Sequence, residues 1–70
     1  MESREDYRKR LVAIEWKLLD MKQALAEARQ LSEELGETHS TRLAVHNLFE
    51  AALPELNNAI DHLRTDLEGM

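Results

Sequence analysis

The chain has 70 residues, a formal net charge of −5 and no cysteine. This length allows one small domain, and the lack of thiols excludes a disulfide framework or a thiolate metal site. The acidic balance argues against nucleic acid as the main partner, and no apolar run reaches the roughly 18 residues that would span a membrane. We therefore expect a cytoplasmic protein without a membrane contact.

A heptad pattern predicts a first helix over residues 4–35. Its seam residues recur at alternating spacings of four and three, and only Ser32 among them is not apolar: Tyr7, Leu11, Ile14, Leu18, Met21, Leu25, Ala28, Ser32 and Leu35. This spacing places the first seam on one helix face, which has to pack against another helix. Ser3 is the expected N-cap, and Gly36 is the expected left-handed C-cap.

Turn-forming residues at 36–40 predict a loop, followed by a second helix over residues 41–68 with Ser40 as its N-cap. A second seam follows in this helix: Phe49, Leu53, Leu56, Ile60, Leu63, Leu67 and Met70. Pro54 lies in the middle and removes one backbone hydrogen bond, so we expect a kink near this residue. In the alternative interpretation, Pro54 is the first residue of a third helix.

Two helices of similar length joined by a short loop predict an all-α fold, in which residues 1–70 form a single antiparallel hairpin. Folding at the loop sets the two seams opposite each other, for example Ala28 with Phe49 and Tyr7 with Met70. We expect two hairpins to dimerise into a four-helix bundle. An intermolecular coiled coil of opened helices is the alternative.

One layer of the opposed seams is polar, because Ser32 falls opposite His46. We interpret this pair as a polar core layer that fixes the register of the two helices. A pH switch at His46 is the alternative interpretation, because the charge of a histidine changes near neutral pH.

The sequence predicts no catalytic, cofactor-binding or metal-binding residues. His46 with Glu50, and His62 with Asp66, are each spaced by one turn, but a zinc site needs three or four convergent ligands. The chain also lacks a nucleophile–histidine–acid set and a glycine-rich phosphate loop. We expect a protein that is not an enzyme and that binds no metal and no cofactor.

Four basic residues cluster at the start of the first helix: Arg4, Arg8, Lys9 and Arg10. This basic cluster is a candidate contact for a nucleic-acid backbone. The interpretation we favour is that antiparallel folding brings it beside Asp61, Asp66 and Glu68 of the second helix. Exposed ion pairs of that kind contribute little to stability.

A further line of residues on the first helix faces away from the second helix and is mostly apolar: Val12, Trp16, Leu19 and Gln23. We call it the Trp16 stripe. A contiguous exposed apolar patch usually marks an interface, and tryptophan is enriched among binding hot spots. The stripe is interpreted either as the homodimer face or as a docking site for a different protein.

These features favour a small non-enzymatic protein-binding regulator, anti-activator, adaptor or chaperone that acts through an exposed helix face. Its expected partners are a second copy of the chain and another protein. One alternative is a nucleic-acid-binding hairpin dimer that uses the basic cluster, and its binding would weaken steeply with salt. The other alternative is a purely structural oligomerisation module.

Overall fold

The computed structural model describes residues 3–69, which form two α-helices and contain no strand. The first helix, α1, spans Arg4–Ser32, and the second, α2, spans Ser40–Glu68. They pack against each other as a hairpin 53 Å long, which confirms the predicted all-α hairpin. The predicted contact between Tyr7 and Met70 lies outside the described residues.

Side-chain caps begin both helices. The Ser3 hydroxyl accepts a hydrogen bond from the backbone N–H of Asp6 at 3.1 Å, so the predicted cap of α1 is confirmed. His39 caps α2, because its Nδ1 accepts a hydrogen bond from the N–H of Thr41 at 3.1 Å. The predicted cap at Ser40 is therefore wrong, since the imidazole nitrogen supplies the acceptor one residue earlier.

The first helix ends at Ser32, three residues before the predicted end. The N–H groups of Glu34 and Leu35 donate to carbonyls three residues back, at 3.2 and 3.0 Å, so the chain tightens into a turn. No glycine among residues 3–69 has a positive φ, and the predicted left-handed cap at Gly36 is therefore wrong.

A side chain of α2, that of Arg42, rather than Gly36, provides hydrogen bonds to carbonyl groups at the end of α1. Its Nη1 donates to the carbonyl oxygens of Leu35 and Glu33, at 3.0 and 3.4 Å. These carbonyls follow the C-terminal end of α1, where the helix dipole favours a positive charge. A side chain of the second helix therefore fixes the path of the loop.

The second helix continues through Pro54 without a break, so the interpretation in which Pro54 starts a third helix is wrong. Proline leaves the carbonyl of Glu50 without its intrahelical donor. Because Glu50 and Pro54 are both exposed, water can reach that carbonyl. The kink expected at Pro54 stays a prediction.

The face of α1 that packs on α2 differs from the predicted one, because part of the first seam is exposed. Ile14 and Met21 are 44% and 55% exposed, and Ala28 is exposed as well. Four seam residues of α1 stay covered, and three residues on one side of the seam are covered with them. Ser32 is buried and the others are half-buried: Leu11, Leu18, Leu25 and Ser32 of the seam, and Glu15, Lys22 and Arg29 beside it. The guanidinium of Arg29, rather than Ala28, lies over the ring of Phe49 at 4.5 Å. Phe49 therefore has a cation–π contact with Arg29, and the predicted Ala28–Phe49 layer is wrong because Ala28 is exposed.

The core of one hairpin is thin. In the described part of the chain, the buried apolar side chains are Ile60 and Leu63. Within residues 3–69, seven large apolar side chains are instead exposed: Tyr7, Ile14, Trp16, Met21, Leu31, Leu43 and Leu48. A small two-helix unit with so little buried apolar surface gains little stability from its own core.

Candidate protein-binding faces

A continuous apolar groove runs along one side of the hairpin, between the two helices. Its half nearer the loop has a volume of about 400 Å³ and is lined by Met21, Leu25, Leu48, Ala52, Glu55, Leu56 and Ala59. The other half, of about 360 Å³, includes Ile14 and Leu18 of α1. Both halves share Glu55 and Ala59, so we treat them as one surface and call it the groove.

The groove exists because α1 has more apolar positions than α2 covers. Ile14 and Met21 form one side and Leu48 belongs to the other, and all three are exposed. The heptad pattern places Ile14 and Met21 in the hairpin core and therefore does not predict the groove. Leu48 lies outside the second seam and was the sequence signal for a further apolar surface.

The Trp16 stripe is separate from the groove. Trp16 is 63% exposed, whereas Val12 and Leu19, one turn away on either side, are half-buried. Trp16 precedes the groove residue Leu18 by two positions, which turns it about 200° around the helix axis. The amide of Gln23 is also exposed, and its Nε2 donates to the Glu27 carboxylate at 3.2 Å. The stripe therefore offers one large aromatic anchor with two partly covered aliphatic neighbours.

A shallow hollow of about 250 Å³ adjoins the stripe at Val12 and is also lined by Glu5, Arg8 and Lys9. The Lys9 ammonium lies 3.6 Å from the Glu5 carboxylate, one turn away on the same helix. An apolar floor beside basic side chains suits a ligand that carries an apolar group next to a carboxylate.

All members of the basic cluster are exposed on the first two turns of α1: Arg4, Arg8, Lys9 and Arg10. Arg4 and Arg8 line a second hollow with Glu5 and Leu67 at the open end of the hairpin. Acidic residues interleave with the cluster, so this end of the molecule carries both signs of charge. Across the two helices, Arg64 Nε and Glu15 Oε2 form an ion pair at 3.0 Å.

The predicted polar layer is present only at Ser32. This residue is buried, and its hydroxyl donates to the carbonyl of Arg29 in its own helix at 2.7 Å. His46 is exposed, because α2 covers Val45 and Phe49 against α1 instead. The predicted core pairing of Ser32 with His46 is therefore wrong within the hairpin.

The structure of residues 3–69 also bears on other classes of site. No group of three histidine or acidic side chains lies close enough together to hold a metal ion. Within the same residues, neither helix combines the length and the apolar character that crossing a membrane requires.

No protein-family model, curated protein or solved structure matches this chain. The two apolar faces and the charges beside them are therefore the features of this chain that bear on its function.

Proposed function

We propose that this chain is a cytoplasmic, non-enzymatic regulator, adaptor, anti-activator or chaperone that binds another protein through the Trp16 stripe. The observation that supports this most strongly is the 63% exposure of Trp16, the only tryptophan in the chain. A large aromatic side chain on the outer side of a helix gains free energy when a partner covers it. Tryptophan is also among the residues that most often dominate binding energy.

The hollow beside Val12 indicates which chemical groups the partner should carry. Its lining combines an aliphatic side chain with Arg8 and Lys9, so it favours an apolar group flanked by an acidic one. An amphipathic helix whose apolar side carries an aspartate or glutamate at its edge meets both requirements. In this proposal Trp16 is the anchor, and the basic side chains set the orientation of the partner.

The same proposal includes dimerisation of the hairpin into a four-helix bundle, with α2 kinked at Pro54. The thin core supports it, because Ile60 and Leu63 are the buried apolar side chains of the described chain. Helices that leave an apolar face in water gain stability by packing that face against further helices.

The test of partner binding compares variants at two exposed positions of α1 that lie about 22 Å apart along the helix. Immobilised wild-type protein and Trp16→Ala are exposed to a lysate of the cells that produce the chain, and the retained proteins are quantified by mass spectrometry. A partner that docks on the stripe should be retained by wild type and reduced at least about tenfold by Trp16→Ala. Circular dichroism should show unchanged helicity, because Trp16 is exposed and alanine favours helices.

Leu31→Ala is the matched control, because Leu31 is also on α1 and is 66% exposed. It should retain the partner, whose affinity is then measured with purified protein by calorimetry. Equal retention by wild type and Trp16→Ala would contradict the stripe as the site. Retained material that is released by nuclease and lost in Arg8→Ala would support the nucleic-acid alternative instead.

A further inference from the structure

We infer that the groove is the face on which a second copy of this chain packs, with both loops at the same end of the resulting bundle. This inference rests on the dimer proposed above and assigns its interface and its helix order. It leaves the Trp16 stripe outside the interface, on the side of α1 that a different protein can reach.

The accessible surface of the hairpin supports a second copy. Folded monomers of 8.1 kDa expose about 4,500 Å² according to the general relation between surface and mass. This hairpin exposes 5602 Å². The excess of about 1,100 Å² is similar to the ~800 Å² that each partner contributes to a standard stable interface. The elongated two-helix unit, 53 × 17 × 15 Å, therefore leaves more surface in water than a compact monomer of its mass, by an area that one side of a stable interface would cover.

The groove is the surface with the extent that such an interface needs. Along α2 its lining reaches from Leu48 to Asp66, which is about 27 Å of helix. Both helices contribute exposed apolar side chains to it, namely Ile14 and Met21 from α1 and Leu48 from α2. The Trp16 stripe, by contrast, belongs to α1 alone.

The distribution of charge favours one of two arrangements of the second copy, in which α1 of one copy packs on α2 of the other. Residues 1–35 contain seven basic and eight acidic residues, a net charge of −1. Residues 36–70 contain two basic and six acidic residues, a net charge of −4. Packing α2 on α2 would bring two strongly acidic helices together, whereas packing α1 on α2 places basic residues against acidic ones.

The charged residues at the edges of the groove also favour packing of α1 of one copy on α2 of the other. Lys17 lies one turn from both Ile14 and Met21, so it occupies the groove side of α1. Glu55 and Asp66 line the groove on α2. A second copy with α1 over α2 therefore brings each Lys17 toward the acidic edge of the other copy.

Helix order determines where the loops lie. If α1 of each copy lies over α2 of the other, the two-fold axis runs parallel to the helices and both loops are at the same end. If like helices lie over each other, the axis is perpendicular to the helices and the loops are at opposite ends. The hairpin is 53 Å long, so the two arrangements differ greatly in the distance between loops.

The first experiment tests the interface with two variants on α2. Leu48 and Leu43 are 57% and 52% exposed, and Leu48 lines the groove. Five residues separate them, which places Leu43 about 140° away around the helix. Leu48→Glu should weaken dimerisation at least about 100-fold in sedimentation equilibrium, whereas Leu43→Glu should change the dimer Kd less than about threefold.

The second experiment measures the helix order in a dimer with an intact groove. The chain has no cysteine, and an added side chain at Gly36 meets no atom within 4 Å, so Gly36→Cys accepts a spin label in the loop. Electron paramagnetic resonance should give a short distance of roughly 10–20 Å between labels, because both loops are at the same end of the bundle and stacked helices are about 10 Å apart. A distance near the 53 Å length of the hairpin would overturn the proposed order.

The outcomes separate this inference from the proposed function. A protein that stays monomeric at millimolar concentration would overturn both the interface and the dimer. A dimer that tolerates Leu48→Glu, or that has its loops far apart, would overturn the inference alone. Loss of the partner in Trp16→Ala concerns the stripe and is measured independently.

Discussion

The groove and the Trp16 stripe are two apolar surfaces of one hairpin, and they differ in how they are built. The groove takes exposed aliphatic side chains from both helices and has charged residues along its edges. The stripe lies on α1 alone and has one large exposed side chain, Trp16. A long two-helix surface suits association with a second copy, whereas a single aromatic anchor suits a small hot spot for a different protein.

A short helix pair carries two apolar surfaces because α1 is apolar over a wide arc of its circumference. One face of α1 packs on α2, yet apolar residues flank that face on both sides. Ile14 and Met21 lie on the groove flank, and Val12 and Leu19 lie on the other flank. One neighbouring helix covers only part of such a wide apolar arc, so the rest is available to other molecules.

The hairpin itself should depend on Arg42, which belongs to neither face. Arg42→Ala removes two hydrogen bonds to carbonyls after α1 and should lower the free energy of unfolding by about 1–2 kcal/mol. Urea denaturation at one protein concentration measures this loss. Association of the folded variant should change less than about threefold, because Arg42 does not line the described groove.

Arg42→Lys is the conservative control for this prediction. It keeps a positive charge near the end of α1, but it lacks the planar guanidinium that reaches both carbonyls, so its loss should be smaller. An unchanged unfolding curve for Arg42→Ala would show that the loop is fixed by other contacts.

Salt should have a smaller effect, which differs between wild type and a Lys17 variant. Each copy carries a net charge of −5, so raising NaCl from 0.05 to 0.5 M screens repulsion between the copies in either helix order. If α1 lies over α2, Lys17→Gln should weaken the dimer by about two- to threefold at 0.05 M NaCl and by less at 0.5 M, because an attraction toward Glu55 and Asp66 is lost. Sedimentation equilibrium at the two salt concentrations measures this difference, and an equal effect of Lys17→Gln at both would contradict the proposed order.

Local features of the fold could be predicted from the sequence. Apolar spacing and the lack of Gly and Pro within residues 4–32 predict the first helix, and the Ser3 cap depends only on its own turn. The end of α1 could not be predicted in this way. It depends on Arg42, which reaches back across the loop to carbonyls seven and nine residues earlier.

The face that α1 turns to α2 also depends on contacts between helices. The ring of Phe49 packs with Arg29, and Arg64 pairs with Glu15. A heptad pattern ranks positions by apolarity and therefore does not anticipate that the stems of Arg29 and Lys22 become half-buried. Because α1 is turned so that these stems face α2, Ile14 and Met21 are exposed and line the groove. The exposure of Trp16 agrees with its predicted position away from α2.

The most direct test of two separate faces uses Trp16 as its own probe, since it is the only tryptophan. Acrylamide quenching of its fluorescence is measured above and below the concentration at which light scattering shows the dimer dissociating. We predict the same high quenching constant in dimer and monomer, because self-association covers the groove and leaves Trp16 exposed. Strong protection of Trp16 in the dimer alone would contradict this assignment and make the Trp16 stripe the self-association face.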